Sequence, residues 1–353
     1  MDRTSYFAIF CVDALYYLPH FLPVADEMTR QGLSYAWYFS DSKVQVVNNL
    51  NLHPIVKEID TSVSADYYIF GNSKDALENI SGTTVLIYHG IGTKACYYNK
   101  SLNDFAIRFV EGGYRRRELD VRAPHGKQER PVVGFSKLDP AVRFDSIARD
   151  VFLTALGLDP KKKTLLYAPT YYPSSIERMQ SSFPQDCSDL NVIVKPHQFT
   201  YTKKYFKQLA ILERWGKFDN VYLARYDEYN ILPFFAVSDV LLSDESSAIF
   251  EFAALKKPVV RNRFLKLRLS YVLFPSKLKN RLDAGIERYA VLAKDAYKYE
   301  DALYNIRSLA FGEFPDSAAN EVLIEELLGK VDGNVSERIV SYLLSRKMGL
   351  VQL

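Results

Sequence analysis

Residues 238–255 constrain this chain most, because a strand, a polar turn and a helix follow one another there with almost nothing between them. Val240, Leu241 and Leu242 form a short apolar run suited to a strand covered on both faces. Residues 243–247 are small or polar, and Ile249, Phe250, Ala253 and Ala254 then recur at helical spacing. Ser246 or Ser247 would cap that helix and leave its first backbone N–H groups facing the turn, where an anion is stabilised. Glu251 lies one turn further on, beside the place where a hydroxyl-bearing group would adjoin a phosphate held by the serines. An ordinary capped helix in an α/β core has the same local pattern.

The flanking sequence repeats the theme. Residues 5–12, 33–39, 65–70, 83–88 and 131–135 read as strands, with a helical face over 15–30 that Gly32 ends. After a probable helix at 145–156 and a Gly-x-x-x-Pro break at 157–160, a second series of strands spans 164–167, 191–194, 221–223, 240–242 and 258–260. Helical stretches lie between them at 201–214 and 229–236. Strands alternating with helices imply βαβ units and a mainly parallel sheet. The expected organisation is two Rossmann-like α/β domains, 1–145 and 146–353, with the amphipathic segment 335–348 either packing on the second or crossing back to the first. At 353 residues, 48% hydrophobic and 25% charged, the chain suffices for two cores.

In such sheets ligands bind beyond the carboxyl ends of the strands, and so across a cleft between two facing domains. Four such ends carry chemistry. His89 follows the strand at 83–88, with Gly90 and Gly92 letting the backbone approach a ligand; it reads either as a general base or as a histidine satisfied by a backbone carbonyl. Thr170 follows the strand at 164–167 and offers a hydroxyl, with Tyr171 and Tyr172 beside it. Lys195 and His197 end the strand at 191–194, where either would neutralise a phosphate. Gly134 and Lys137 end the fourth, which reads equally well as an interdomain connection.

Other classes are disfavoured. A net charge of +3 is not the balance of a nucleic-acid binder, and no nucleic-acid motif accompanies the local basic runs. No Walker loop, Gly-x-Gly-x-x-Gly, His-Glu-x-x-His or Gly-x-Ser-x-Gly elbow is present, so no metal or cofactor is expected. Cys11, Cys96 and Cys187 are scattered, which fits a reducing compartment. No run reaches the ~20 apolar residues of a membrane span, and the N-terminus lacks a signal-peptide pattern. Two basic regions, 114–130 and 256–281, the second interleaved with Phe264, Leu267, Tyr271 and Phe274, read either as solvated charge or as a surface for anionic lipid.

Taken in order, these motifs resemble those of the CDP-glycerol glycerophosphotransferases, enzymes of teichoic-acid-type polymer synthesis with the two-domain GT-B fold. The strand-ending histidine motif stands as His89-Gly90-Ile91-Gly92, followed by Tyr167-Ala168-Pro169-Thr170 and Lys195-Pro196-His197-Gln198. The serine motif is Ser243-Asp244-Glu245-Ser246-Ser247-Ala248-Ile249-Phe250-Glu251, with Lys257-Pro258 after it. Against the family pattern, Glu245 replaces a tyrosine, Glu251 an aspartate and Gln198 a proline. Arg261, Asn262 and Arg263 stand where acidic and aromatic residues are usual.

The resemblance implies transfer of glycerol phosphate, or a related polyol phosphate, from a CDP-activated donor to a hydroxyl of a lipid-linked saccharide or growing polymer, with CMP released. His89 would be the base and His197 would stabilise phosphoryl charge. Thr170, Ser246 and Ser247 would hold the diphosphate and Glu251 the ribose, Lys195 would join His197 at the phosphoryl oxygens, and Gly90 would be a further donor-binding residue. Domain 1–145 would take the acceptor and 146–353 the donor, at the cytoplasmic membrane face. A GT-B nucleotide-sugar glycosyltransferase or epimerase is the alternative. A non-catalytic nucleotide-binding protein ranks last, since both histidines are present.

Overall fold

The computed structural model describes residues 4–40, 52–60, 62–72, 80–91, 95–124, 127–171, 174–202, 206–267, 273, 284–312 and 318–350. Gly92, His125, Tyr172 and most of the basic segment beyond residue 267 therefore lie outside the described residues. The chain divides into two compact units, the first comprising Met1–Ile91, Cys96–Val142 and Glu325–Leu353, the second Gly92–Ala95 and Arg143–Ile324.

Each unit is built on one parallel six-stranded sheet. In the first unit the strands are β1 (Thr4–Val12), β2 (Tyr35–Phe39), β3 (Ile55–Val56), β4 (Val63–Phe70), β5 (Thr83–Ile87) and β6 (Ile107–Phe109), in the order β3-β2-β1-β4-β5-β6. The apolar run of β1 is buried from Phe7 onward, as a strand covered on both faces requires. Helix α1 (Leu18–Arg30) follows β1, and α2 (Gly113–Arg122) follows β6.

The expected strand at 131–135 makes one isolated bridge, Val132 to Val110, and Glu129 just before it makes another, to Ile107. Pro131 has no N–H to give a ladder, and Gly134 takes a φ of 105°, so regular pairing stops there. The pairing falls instead to β6, whose Arg108 hides its strand character: the buried guanidinium donates to the Tyr97 carbonyl at 2.7 Å.

The second unit holds β7 (Thr164–Ala168), β8 (Asn191–Val194), β9 (Val221–Leu223), β10 (Val240–Ser243), β11 (Val259–Asn262) and β12 (Lys294–Ala296), in the order β12-β11-β10-β7-β8-β9. Its helices are α3 (Ser146–Ala155), α4 (Phe206–Trp215), α5 (Leu232–Val237), α6 (Ala248–Ala253), α7 (Tyr299–Phe311) and α8 (Ala318–Leu328), the last running into the first unit's portion of the chain. Helix α5 starts later than expected because Pro233 fixes its first turn and Asn230 Oδ1 takes the Leu232 N–H at 3.0 Å.

The last helix, α9 (Val335–Lys347), packs on α1. Buried Asp139 caps it from outside the helix, accepting from the Val335 and Ser336 N–H groups at 3.2 and 2.8 Å and from the Ser336 hydroxyl at 2.7 Å. Tyr342 and Arg346 hold Glu129 at 2.6 and 2.8 Å, and Lys347 holds Asp66 at 2.6 Å. Removing the cap leaves buried N–H groups unpaired. Asp139→Ala is expected to cost about 2–4 kcal/mol, read as a lower thermal midpoint and faster proteolytic release of the C-terminal helix; an unchanged midpoint would refute the capping role.

Candidate functional site

The sheet order of the second unit sets its chemistry side by side. Adjacent strands β11, β10, β7 and β8 end at Asn262, Ser243, Ala168 and Val194. All run parallel, so the segments leaving these ends lie along one edge: Arg263, the turn 244–247, Thr170, then Lys195 with His197. This is where open parallel sheets bind ligands.

Asp244 organises the edge. Its buried carboxylate accepts from the Thr170 N–H and hydroxyl at 3.0 and 3.2 Å and from the Ser175 N–H and hydroxyl at 3.2 and 2.5 Å. Ser175 Oγ also meets the Tyr167 hydroxyl at 2.7 Å and the Asn262 amide at 3.0 Å. Ser243 Oγ donates to the Ala168 carbonyl at 2.6 Å. The network ties β7, β10 and β11 together at their carboxyl ends. Burial pushes the Asp244 pKa up to about 6, against which the four donors pull it down. The sequence signal for Asp244 is a carboxylate at a strand end, between Ser243 and the pair Ser246-Ser247.

The expected site residues take these places. Ser247 occupies the position before α6 without a side-chain cap, while Ser246 Oγ accepts the Ala248 N–H at 3.2 Å. Both are half-buried. Glu251 is buried within α6. Thr170 directs its hydroxyl proton to Asp244. Lys195 is buried, with Nζ 3.4 Å from the Pro196 carbonyl. His197 Nδ1 accepts the Phe199 N–H at 3.1 Å, and its ring lies 4.9 Å from both Tyr171 and Phe199.

His89 belongs to the first unit. Its Nδ1 lies 2.7 Å from the Gly71 carbonyl. The ring stacks on Tyr88 at 4.7 Å, with Tyr17 at 4.7 Å and Tyr16 at 5.0 Å. A side chain on Gly90 would collide with the Tyr97 hydroxyl. One on Gly71 would meet the Tyr17 ring at 2.5–2.9 Å, so that glycine lets Tyr17 lie against the histidine.

Among the described residues, part of the basic surface expected from the sequence is internal and part is paired at the surface. Lys257 Nζ donates to the Phe235, Ala236 and Ser238 carbonyls at 2.8, 2.7 and 2.9 Å and closes the end of α5, a cation on the negative pole of a helix. Burial pushes its pKa down to about 8. Arg261 is buried against Asp295 at 2.6 and 3.0 Å. In the first unit Arg115 pairs with Glu111 at 3.5 Å and lies over Tyr97, Arg116 pairs with Asp120 at 3.1 Å, and Arg122 pairs with Glu118 at 2.6 Å.

Two parallel six-stranded α/β sheets of this order have the GT-B fold. A variant of the wall teichoic acid polymerase TagF superposes with a TM-score of 0.73 at 14% identity, over 99% of this chain and 90% of that one. The Staphylococcus aureus MnaA–UDP structure does so at 0.60 and 13% identity, over 99% and 98%. More narrowly, residues 123–263 match the family model described as CDP-Glycerol:Poly(glycerophosphate) glycerophosphotransferase. The teichoic acid ribitol-phosphate primase of Bacillus spizizenii is 26% identical over 196 residues, 52% of this chain and 44% of the primase. The teichoic acid poly(glycerol phosphate) polymerase of the same organism is 26% identical over 124 residues, 30% of this chain and 27% of the polymerase. The chain thus spans less than half the length of these two relatives. The resemblance read from the motifs holds, on the GT-B fold.

Two outcomes test this geometry. Gly71→Ala should displace Tyr17 from the His89 ring and lower the thermal midpoint; an unchanged midpoint would show that the contact of Tyr17 with Gly71 is dispensable. Because the Asp244 pKa is about 6 in the fold and near 3.9 in an unfolded chain, the native state binds the extra proton between those values. Stability from this group falls as pH rises through that window. The thermal midpoint of wild type minus that of Asp244→Asn should therefore grow as pH is lowered from about 6 to about 4, and a flat difference would place the Asp244 pKa elsewhere.

Proposed function

We propose that the chain transfers glycerol phosphate, or a related polyol phosphate, from a CDP-activated donor to a hydroxyl of a lipid-linked saccharide or a growing cell-surface polymer. The observation that carries this reading is the opposite hydrogen bonding of the two histidines. A carbonyl oxygen only accepts, so His89 Nδ1 carries the proton that faces Gly71, and Nε2 holds the lone pair of a base. A backbone N–H only donates, so His197 Nδ1 presents its lone pair to Phe199, and Nε2 carries a proton to donate.

His89 Nε2 takes the proton of the acceptor hydroxyl. That oxygen forms a bond to the phosphorus bearing the polyol, and the bridging P–O bond breaks with its electron pair leaving on CMP. His197 Nε2–H donates to a phosphoryl oxygen, with Lys195 adding positive charge. Thr170, Ser246 and Ser247 line the diphosphate, Glu251 accepts from ribose hydroxyls, and Gly90 lets substrate approach the backbone beside the base. On this reading the first unit, which includes the C-terminal helix, serves the acceptor and the second unit the donor.

Work at the cytoplasmic membrane face follows from the acceptor class. Of the basic segment, Lys256, Lys257, Arg261 and Arg263 have protein partners, and Arg268, Lys277, Lys279 and Arg281 lie outside the described residues. No described helix is long and apolar enough to cross a membrane. A nucleotide-sugar glycosyltransferase or epimerase on the same fold is the second reading.

Purified protein given CDP-glycerol, CDP-ribitol and a panel of UDP-sugars, with a saccharide or polymer acceptor, decides between them. CMP release from a CDP-alcohol is expected, falling about 10²- to 10⁴-fold in His89→Asn. Near-normal turnover of that variant would remove His89 as the base, and consumption of UDP-sugars alone would favour the second reading.

A further inference from the structure

The carboxyl edge of the second sheet has one occupant that the proposed reaction leaves unused. Glu245 sits in the serine turn itself, between Asp244 and Ser246. A carboxylate there opposes any anion bound at the serines, unless a cation offsets it. Two arginines at the end of the adjacent strand β11 do so, and they are not equivalent.

Arg261 is a structural partner. It is buried, its Nε and Nη2 grip Asp295, Glu287 lies 3.6 Å from Nη2, and Glu245 lies 3.8 Å from Nη1. Arg263 follows the strand end and keeps 30% of its side chain exposed. Only its Nη1 is engaged, in a short contact with Glu245 Oε1 and 4.0 Å from Glu287. Its Nε and Nη2 have no partner among the described residues. A guanidinium held at one corner, with its other donors open, is suited to bidentate capture of a phosphate. The strand order places it next to the turn that carries Ser246 and Ser247.

We propose that Arg263 is a ligand for the donor's diphosphate and that Glu245 is its positioning residue. This rests on the reading of the second unit as the donor half. The two departures from the family pattern are then one device. Glu245 aims the guanidinium, and the guanidinium offsets the charge that Glu245 brings into an anion site.

The test measures binding to the full chain by calorimetry, with CDP-glycerol, inorganic pyrophosphate and cytidine as probes, for wild type, Arg263→Lys, Arg263→Gln, Glu245→Gln and the exchange Glu245→Arg/Arg263→Glu. Arg263→Gln should weaken CDP-glycerol and pyrophosphate by roughly tenfold or more, the loss of a charge-assisted pair, and leave cytidine unchanged. Arg263→Lys keeps the charge and the contact to Glu245 but loses the fork, and should recover only part of the affinity. Glu245→Gln should weaken the same two probes less than Arg263→Gln does. The exchange sets an arginine beside Arg261 and a glutamate beside Glu287, so it should lower the thermal midpoint and restore neither affinity.

If wild type binds CDP-glycerol and Arg263→Gln binds it equally well, the inference fails and the donor reading stands. If pyrophosphate binds in an Arg263-dependent way while CDP-glycerol does not bind, the phosphate site stands and the donor reading fails. Recovery of affinity in the exchanged pair would reduce the contact to a structural ion pair, and binding of none of the probes by wild type would overturn both.

Discussion

The second unit depends on one buried carboxylate. Asp244 lies at the end of β10, fully removed from water, and no described cation touches it. It is stabilised by four donors from the segment that leaves β7. Charge in such a place is tolerated only when each lone pair is used. That requirement fixes the path of residues 170–175, because moving Thr170 or Ser175 would strip the carboxylate of two bonds. The loop that carries a proposed phosphate ligand is thereby held by the same group that joins two strands. Geometry at the edge and integrity of the sheet are one constraint.

The same logic explains what was legible in the sequence. The strand ends bearing His89, Thr170, His197 and the serine turn were readable because a buried parallel strand is a short apolar run and its chemistry begins at the next residue. The two sheets followed from that alternation. Asp244 was not readable as an organiser, because burial of a carboxylate depends on donors from a segment 69–74 residues away. The strands β6 and β12 were missed for a related reason. Arg108, Lys294 and Asp295 look like loop residues until their long-range partners are known, the Tyr97 carbonyl for Arg108 and Arg261 for Asp295.

Residues 256–263 show how a basic run misleads. Four cations in eight positions suggest a solvated face or a lipid surface. Yet Lys257 turns inward to three carbonyls that precede it by 19–22 residues, and Arg261 to an aspartate 34 residues on. Both are polar groups recruited to close backbone and charge left open by the fold. Arg263, two residues beyond Arg261, points to the same face of the strand path but lies past the strand's end, where no described residue meets its Nε and Nη2. Position relative to the end of β11, more than charge itself, separates the structural arginine from the one available for binding.

The two histidines are fixed by a different device. Each has Nδ1 committed to the backbone, His89 to an acceptor and His197 to a donor. Backbone groups do not titrate and are not lost by substitution of a neighbouring side chain, so neither ring exchanges its neutral tautomer without breaking that bond. The consequence is directional. His89 Nε2 accepts a proton before it can give one, and His197 Nε2 already has one to give. These tautomers suit the roles proposed for the two histidines, and each is set by the chain path, at Gly71 for one and at Phe199 for the other.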